Sequence, residues 1–260
     1  MAYLQKGSAM SFADYDEKEL DVINHGLNLI GWRIDMRLTS DDASLISDIA
    51  YETLELQKSN NLTKDKTDDL ALRAYEYVAF QIMNPHDRAS WITYQYQSSM
   101  YLKDLMPAID EALICWYRGY YLSASSILFI VIERCMRKIA LWNEGDNDIT
   151  FTQLKNAIKN LPASSSRDEA ETILNVIYSR YNPLNPTTFF FNRHSLLHGI
   201  RLNSKYDEMN CVRMMLFLDL IVKAEGVQAP VIINNEYKNR TDIYLSCRSN
   251  KVEQFLLKRR

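Results

Sequence analysis

The densest group of chemically active side chains in the sequence is Phe189-Phe190-Phe191-Asn192-Arg193-His194-Ser195-Leu196-Leu197-His198-Gly199. This stretch holds two of the four histidines of the chain, together with one arginine and one asparagine. Thr187 and Thr188 precede it, and a threonine hydroxyl can accept hydrogen bonds from the unpaired N–H groups of a first helical turn. The sequence therefore predicts a helix from about residue 187 to residue 202.

Helical spacing places His194 and His198 on one face, because residues four apart lie one above the other. Arg193 lies roughly 140° around the helix from His198, a gap that a long guanidinium can partly close. An imidazole can exchange protons near neutral pH, and a guanidinium can bind phosphate oxygens and stabilise charge on phosphorus. Since RNA supplies its own 2′-hydroxyl nucleophile, this pattern indicates RNA cleavage without a metal. A polar stripe on a helix is the alternative that the spacing leaves open.

The run from Asn192 to Gly199 resembles the R-x4–6-H motif of the HEPN superfamily, a group of all-helical domains that includes many ribonucleases. Upstream, the segments 108–112, 117–121 and 130–134 resemble the first helical pair of such domains, in which a short turn containing glycine joins two helices. The resemblance covers roughly residues 100–225. It implies that Arg193 and His198 form the catalytic pair and that His194 fills the adjacent polar position.

Asn192 and Glu133 are the supporting residues of this predicted site. The resemblance implies that Glu133 is the acidic residue that orients Arg193. The sequence leaves a second interpretation open, in which Glu133 is a surface residue paired with Arg137 at i+4.

The resemblance also implies the partners of the protein. Family members act on RNA without a metal or another cofactor, typically as homodimers whose two motifs form one composite site. Many serve as toxins or in defence against phage, so we expect an antitoxin or activator protein as a further partner. The alternative function is a non-catalytic HEPN-like domain that binds nucleotide, RNA or a protein partner.

The composition predicts an all-α fold. Among 260 residues, 47% are apolar, which is ample for a packed core, and there are only 7 glycines and 6 prolines. We expect a multi-helix bundle of HEPN type over residues 101–226. An added helical region precedes it over residues 1–100, and a short irregular or β-like extension follows over 227–260, with extended segments at 231–233 and 243–245.

The periodicity of apolar residues predicts the individual helices. We expect them at about 14–36, 40–58, 66–83, 103–118, 120–142, 151–161, 167–181 and 204–224, the last nearly apolar all round and therefore central. His86, Asp87 and Arg88 are interpreted as a turn and helix cap rather than a catalytic group. The Tyr- and Gln-rich segment 91–102 is expected to pack the join between the N-terminal helical region and the HEPN-like unit, in preference to stacking on bases.

Charge and cysteine usage limit the functional classes. The net charge is −3 and the pI about 5.9, which argues against tight non-specific RNA binding, although local charge at a cleft matters more than the sum. The four cysteines form no C-x-x-C pair, which indicates a reducing cytoplasm and no zinc site. No signal peptide and no apolar run of membrane-spanning length are expected.

Overall fold

The computed structural model describes residues 12–13, 17–34, 38–143, 150–178, 204–230 and 233–248. Across these ranges the chain is helical apart from one antiparallel pair of two-residue strands, which confirms the all-α prediction. The strands are β1 (Phe12–Ala13) and β2 (Leu38–Thr39). The helices are α1 (Glu17–Leu29), α2 (Ser40–Lys58), α3 (Lys64–Ile82), α4 (Pro85–Ser90), α5 (Met106–Tyr117), α6 (Tyr121–Ile139), α7 (Phe151–Ala157), α8 (Ser164–Ile177), α9 (Ser204–Ala224) and α10 (Asn235–Cys247).

The chain divides into two compact units, Met1–Val78 and Ala79–Arg260, and the boundary falls inside α3. We call them the N-terminal unit and the C-terminal unit. The three-part division at residues 100 and 226 stays a prediction. Along the described ranges, every helix is either too short or too polar to cross a bilayer.

The core of the N-terminal unit forms where α1 packs against α2. Ile23, Leu27 and Ile30 are fully buried at helical spacing. The buried Asn24 side chain is satisfied by both backbone groups of Ile34, since its Nδ2 donates to the carbonyl at 3.0 Å and its Oδ1 accepts from the N–H at 2.9 Å. This clamp holds the segment after α1 against the helix, so a polar side chain fixes the path of the chain.

The predicted helix over 14–36 is wrong at its C-terminal end, because α1 ends at Leu29. Gly31 adopts φ 73°, a left-handed conformation that ends the helix, and the N–H of Trp32 returns to the carbonyl of Leu27 at 2.9 Å. Trp32 is fully buried and its indole N–H donates to the carbonyl of Ala71 at 2.9 Å. The apolar residues after Leu29 therefore belong to a packed loop, which helical periodicity alone does not distinguish from a further helical turn.

The C-terminal unit is built around α9, as the apolar pattern predicts. This helix packs against α6 and α8, while α6 also packs against α5 and α7. Every side chain from Glu208 to Val222 is buried. Between α5 and α6, Gly119 adopts φ 82° and the N–H of Tyr120 returns to the carbonyl of Cys115 at 2.8 Å, so the turn lies where the glycine predicts it.

The predicted β-like character of the C-terminal extension is wrong at residues 243–245, which lie inside α10. The Asn234 side chain caps this helix by accepting from the N–H of Tyr237 at 2.9 Å. Thr241 and Tyr244 are buried on the face that packs against α4 and α5, and the rest of the helix is largely exposed. Tertiary packing, which outweighs the β propensity of Ile243 and Tyr244, explains the difference.

The aromatic segment after α4 forms a π-helix from Trp91 to Tyr96. Tyr94 and Tyr96 are buried, and the Tyr94 ring stacks on Tyr237 of α10 with 6.3 Å between ring centroids. Packing in preference to base stacking is therefore confirmed for these two tyrosines, and their contacts with Tyr237 and Asp219 lie within the C-terminal unit. Trp91 differs, because it stays partly exposed.

Candidate functional site

The predicted catalytic residues Arg193, His194 and His198, with Asn192, lie outside the described residues. Their roles stay predictions. Glu133, the other supporting residue, lies in α6 with a partly exposed side chain. The structure describes the helices on both sides of the motif in the chain, α8 before it and α9 after it, and the polar groups buried in the C-terminal unit.

Four polar side chains are buried on α9, in a stretch from Glu208 to Val222 that is otherwise apolar. They are Glu208, Asn210, Arg213 and Asp219. Each takes up space that an apolar residue could fill, and burying a polar group is costly unless it is hydrogen-bonded. Their contacts therefore show where this unit places polarity in its core.

Arg213 brings a cation into the first half of α9. Its side chain is 0% exposed, and its Nη1 donates to Oδ1 of Asn210 at 3.2 Å. Burial lowers the pKa of Arg213 to about 9, which still leaves the guanidinium charged at neutral pH. The Nδ2 of Asn210 has no acceptor among the described residues. Arg213 and Asn210 form a buried cation–amide pair on the helix that follows the motif.

On the side of α6, Glu208 and Cys211 of α9 meet Tyr121 and Ser125. Burial, then the negative charge of Glu208 and a hydrogen bond to it, raises the pKa of Tyr121 well above its ordinary value. The Ser125 hydroxyl and the Cys211 thiol lie 3.1 Å apart, and this thiol also lies 3.5 Å from the carbonyl oxygen of Tyr121. Cys211 is thus a core thiol, as its apolar context predicts.

A second buried cluster joins α4 and the π-helix to α9, and we call it the Arg88 cluster (Arg88, Tyr96 and Asp219). The two Nη atoms of Arg88 donate to the two oxygens of Asp219 at 2.9 and 2.8 Å, and the Tyr96 hydroxyl donates to Oδ1 at 2.7 Å. Burial alone would lower the pKa of Arg88, but the Asp219 carboxylate raises it above its ordinary value. Both Nη atoms of Arg88 donate to the same carboxylate, so this arginine has a structural role.

The interpretation of residues 86–88 as a turn and helix cap is wrong, because these residues lie inside α4 and the cap is Asn84. Asn84 caps α4 by accepting from the N–H of His86 at 3.0 Å, with Pro85 in the first turn. Arg88 is only 1% exposed and pairs with a carboxylate 131 residues away. Local sequence carries no signal for that partner.

A third polar cluster anchors α10. The guanidinium of Arg240 contacts both carboxylate oxygens of Asp110 on α5 at 3.0 to 3.2 Å and the hydroxyl of Thr93 at 2.6 Å. The Tyr244 hydroxyl donates to the same carboxylate. These contacts fix α10 on the bundle, so the cluster is a structural one.

An open groove of about 600 Å³ lies beside the end of α9. We call it the Trp91 groove. It is lined by Trp91, Gln95, Lys223 and residues 226–230. The Lys223 Nζ lies 5.7 Å from the centroid of the Trp91 ring, within the range of a cation–π contact. It combines an aromatic face, an amide and a cation.

The two units differ in charge. Residues 1–78 carry 15 acidic and 8 basic side chains, a net −7, whereas residues 79–260 carry 18 acidic and 22 basic side chains, a net +4. The net charge of −3 for the whole chain is therefore the sum of an acidic unit and a basic unit, and the basic unit contains the motif. Among the described residues, no group of His, Cys, Asp or Glu side chains could hold a metal ion, and all four cysteines are free.

Comparison of the chain with protein-family models, with curated proteins and with solved structures finds no match in any of the three. The HEPN resemblance therefore rests on the motif and on the helical pair upstream of it.

Proposed function

We propose that the protein is a metal-independent endoribonuclease of HEPN type. The observation that carries the proposal is the motif Arg193-His194-Ser195-Leu196-Leu197-His198, which combines a phosphate-binding cation with a group that exchanges protons near pH 7. The fold supports it, because the described residues are helical apart from one short strand pair, and the pair α5–α6 with its turn at Gly119 precedes the motif. The net +4 of the C-terminal unit adds support, since RNA is a polyanion.

In the proposed mechanism, the 2′-hydroxyl of the substrate attacks the adjacent phosphorus. The proton of this hydroxyl passes to a base, the bond from phosphorus to the 5′-oxygen breaks, and the leaving oxygen takes a proton. His198 acts in this proton transfer, Arg193 contacts the scissile phosphate, and His194 with Asn192 positions or supplements them. The products carry a 2′,3′-cyclic phosphate, or a 3′-phosphate after its hydrolysis, and a 5′-hydroxyl.

The biological setting is part of the same proposal. The protein acts as a homodimer with a composite site, in phage defence or as a growth-arresting toxin that an antitoxin or activator controls. The four free cysteines support a cytoplasmic location.

The experiment that tests the mechanism is incubation of purified protein with cellular RNA in EDTA, followed by mass spectrometry of the termini. The proposal expects cleavage in EDTA and 2′,3′-cyclic phosphate ends. Products with 5′-phosphate ends, or cleavage that requires a divalent metal, would contradict it. RNA binding without cleavage would instead favour a non-catalytic HEPN-like domain.

A further inference from the structure

One wall of the Trp91 groove is the loop at residues 226–230, which is held in place by hydrogen bonds. Gln95 Nε2 donates to the carbonyl of Ala229 at 2.9 Å, and the N–H of Ala229 donates back to Gln95 Oε1 at 3.1 Å. At the end of α9, Gly226 adopts φ 79° and the N–H of Val227 returns to the carbonyl of Val222 at 3.3 Å. The loop 226–230 is therefore tied to both helical elements beside it, and the groove is formed before any ligand arrives.

Two cations lie near the Trp91 indole, and they differ in exposure. Arg88 Cζ lies 5.7 Å from the ring centroid, and its side chain is buried. Lys223 Nζ lies at the same distance and is partly exposed. The other charged group of this helix end, Glu225, is held by Ser99 Oγ at 2.5 Å and by the N–H of Met100 at 2.7 Å. The groove thus has one partly exposed aromatic side chain beside one partly exposed cation.

We propose that the Trp91 groove binds one nucleotide of single-stranded RNA, with the base against the indole and Lys223 at the neighbouring phosphate. Stacking on an aromatic side chain is the sequence-tolerant way in which proteins hold single strands. A volume of about 600 Å³ lies in the range of sites for small ligands, roughly 300–1,000 Å³. The basic excess of the C-terminal unit favours a polyanion over an acidic or neutral partner.

The C-terminal end of a helix has a partial negative charge, which Lys223 in the last turn of α9 offsets. This inference rests on the proposed function and deepens it, because it assigns a place where substrate RNA is held.

The test measures the binding of a fluorescein-labelled dodecamer of uridylate by anisotropy. The full chain carries His198→Ala in every sample, so that the probe stays intact. Trp91→Leu removes the stacking surface, and Lys223→Gln removes the charge while keeping most of the stem. Trp142→Leu and Lys103→Gln are the matched controls, since Trp142 has its own cation, Arg137, at 4.4 Å and Lys103 is exposed away from the groove lining.

The second probe is an abasic dodecamer with the same number of phosphates. Trp91→Leu weakens uridylate binding roughly 5- to 100-fold and leaves binding of the abasic probe unchanged. Lys223→Gln weakens binding of both probes and lowers the slope of log affinity against log salt by about 0.7. The control variants bind both probes like the His198→Ala protein. A change in the fold alone could not separate the two probes in this way.

Equal losses for both probes in Trp91→Leu, or unchanged binding in both groove variants, would overturn the groove assignment. Absence of uridylate binding by the His198→Ala protein would overturn it too. The proposed function is judged separately, by cleavage with the wild-type chain in EDTA. Wild-type cleavage with unaffected binding in the groove variants would leave the nuclease standing and remove only the groove.

Discussion

Removal of the Asp219 carboxylate is expected to destabilise the C-terminal unit more than any single surface change. Arg88 is 1% exposed and Asp219 is 2% exposed, and two short hydrogen bonds join them. In Asp219→Ala the guanidinium stays buried without its counter-charge, which costs roughly 3–5 kcal/mol, and the Tyr96 hydroxyl loses its acceptor, which adds about 1 kcal/mol or more. The expected total is about 4–6 kcal/mol.

The measurement is urea unfolding followed by tryptophan fluorescence and circular dichroism. Trp91 reports on the cluster directly, because its ring centroid lies 5.7 Å from Arg88 Cζ. With an m-value of about 2 kcal/mol/M, the expected loss moves the unfolding midpoint down by roughly 2–3 M. The control is Glu171→Ala, which breaks a partly exposed ion pair with Lys155 at 3.1 Å and should cost less than about 1 kcal/mol.

A triple variant, Arg88→Met, Tyr96→Phe and Asp219→Leu, separates the cost of an orphaned charge from the net contribution of the cluster. Buried ion pairs replaced by apolar residues of similar volume often lose little stability. We expect the triple variant to unfold within about 2 kcal/mol of wild type and to be more stable than Asp219→Ala. A loss below about 1 kcal/mol in Asp219→Ala, or a triple variant less stable than the single one, would refute the reasoning.

Three further predictions concern stability. Burial raises the pKa of Tyr96, Tyr117 and Tyr244 above 10. Their contribution to folding stability is therefore complete below pH 10, and for each tyrosine it falls by about 1.4 kcal/mol per pH unit as the pH rises further. Absorbance at 295 nm should show that these tyrosines ionise only when the protein unfolds, and ionisation in the folded state would contradict the prediction. Gly26→Ala puts a Cβ 2.4 Å from the Ala50 carbonyl oxygen, so we expect the free energy of unfolding, followed by the fluorescence of Trp32, to fall by roughly 1–3 kcal/mol. Gly226→Ala has open space around the new Cβ, so it costs only the strain of φ 79°. Asp110→Asn weakens the contacts of Arg240 and Tyr244, so hydrogen exchange over 235–247 should speed up at least tenfold, and unchanged exchange would show that α10 is held by its apolar contacts alone.

Local patterns were sufficient for the helices whose ends have chemical markers. Helix α2 begins at Ser40 and ends at Lys58 as predicted, and α9 ends at Ala224, before the glycine at 226. The apolar character of α9 also predicted its central place. These features depend on residues within a few positions of one another.

What the sequence could not show depends on contacts between distant positions. The pairing of Arg88 with Asp219 spans 131 residues, and each residue alone is typical of a surface. Helix α10 was missed because few of its residues are apolar. Its buried residues are Thr241 and Tyr244, and the helix is anchored by the contact of Arg240 with the distant Asp110. The Trp91 groove was missed because its lining comes from segments more than 120 residues apart.

The measurement that tests the central claim most directly is RNA cleavage in EDTA by the wild type, Arg193→Ala, His198→Ala and His86→Ala. The last is a matched control, since His86 is an exposed histidine outside the motif. The account predicts that wild type and His86→Ala cleave at the same rate, while Arg193→Ala and His198→Ala lose activity by at least a factor of roughly 100. Cleavage retained in His198→Ala would show that the motif at residues 193–198 is not the active site.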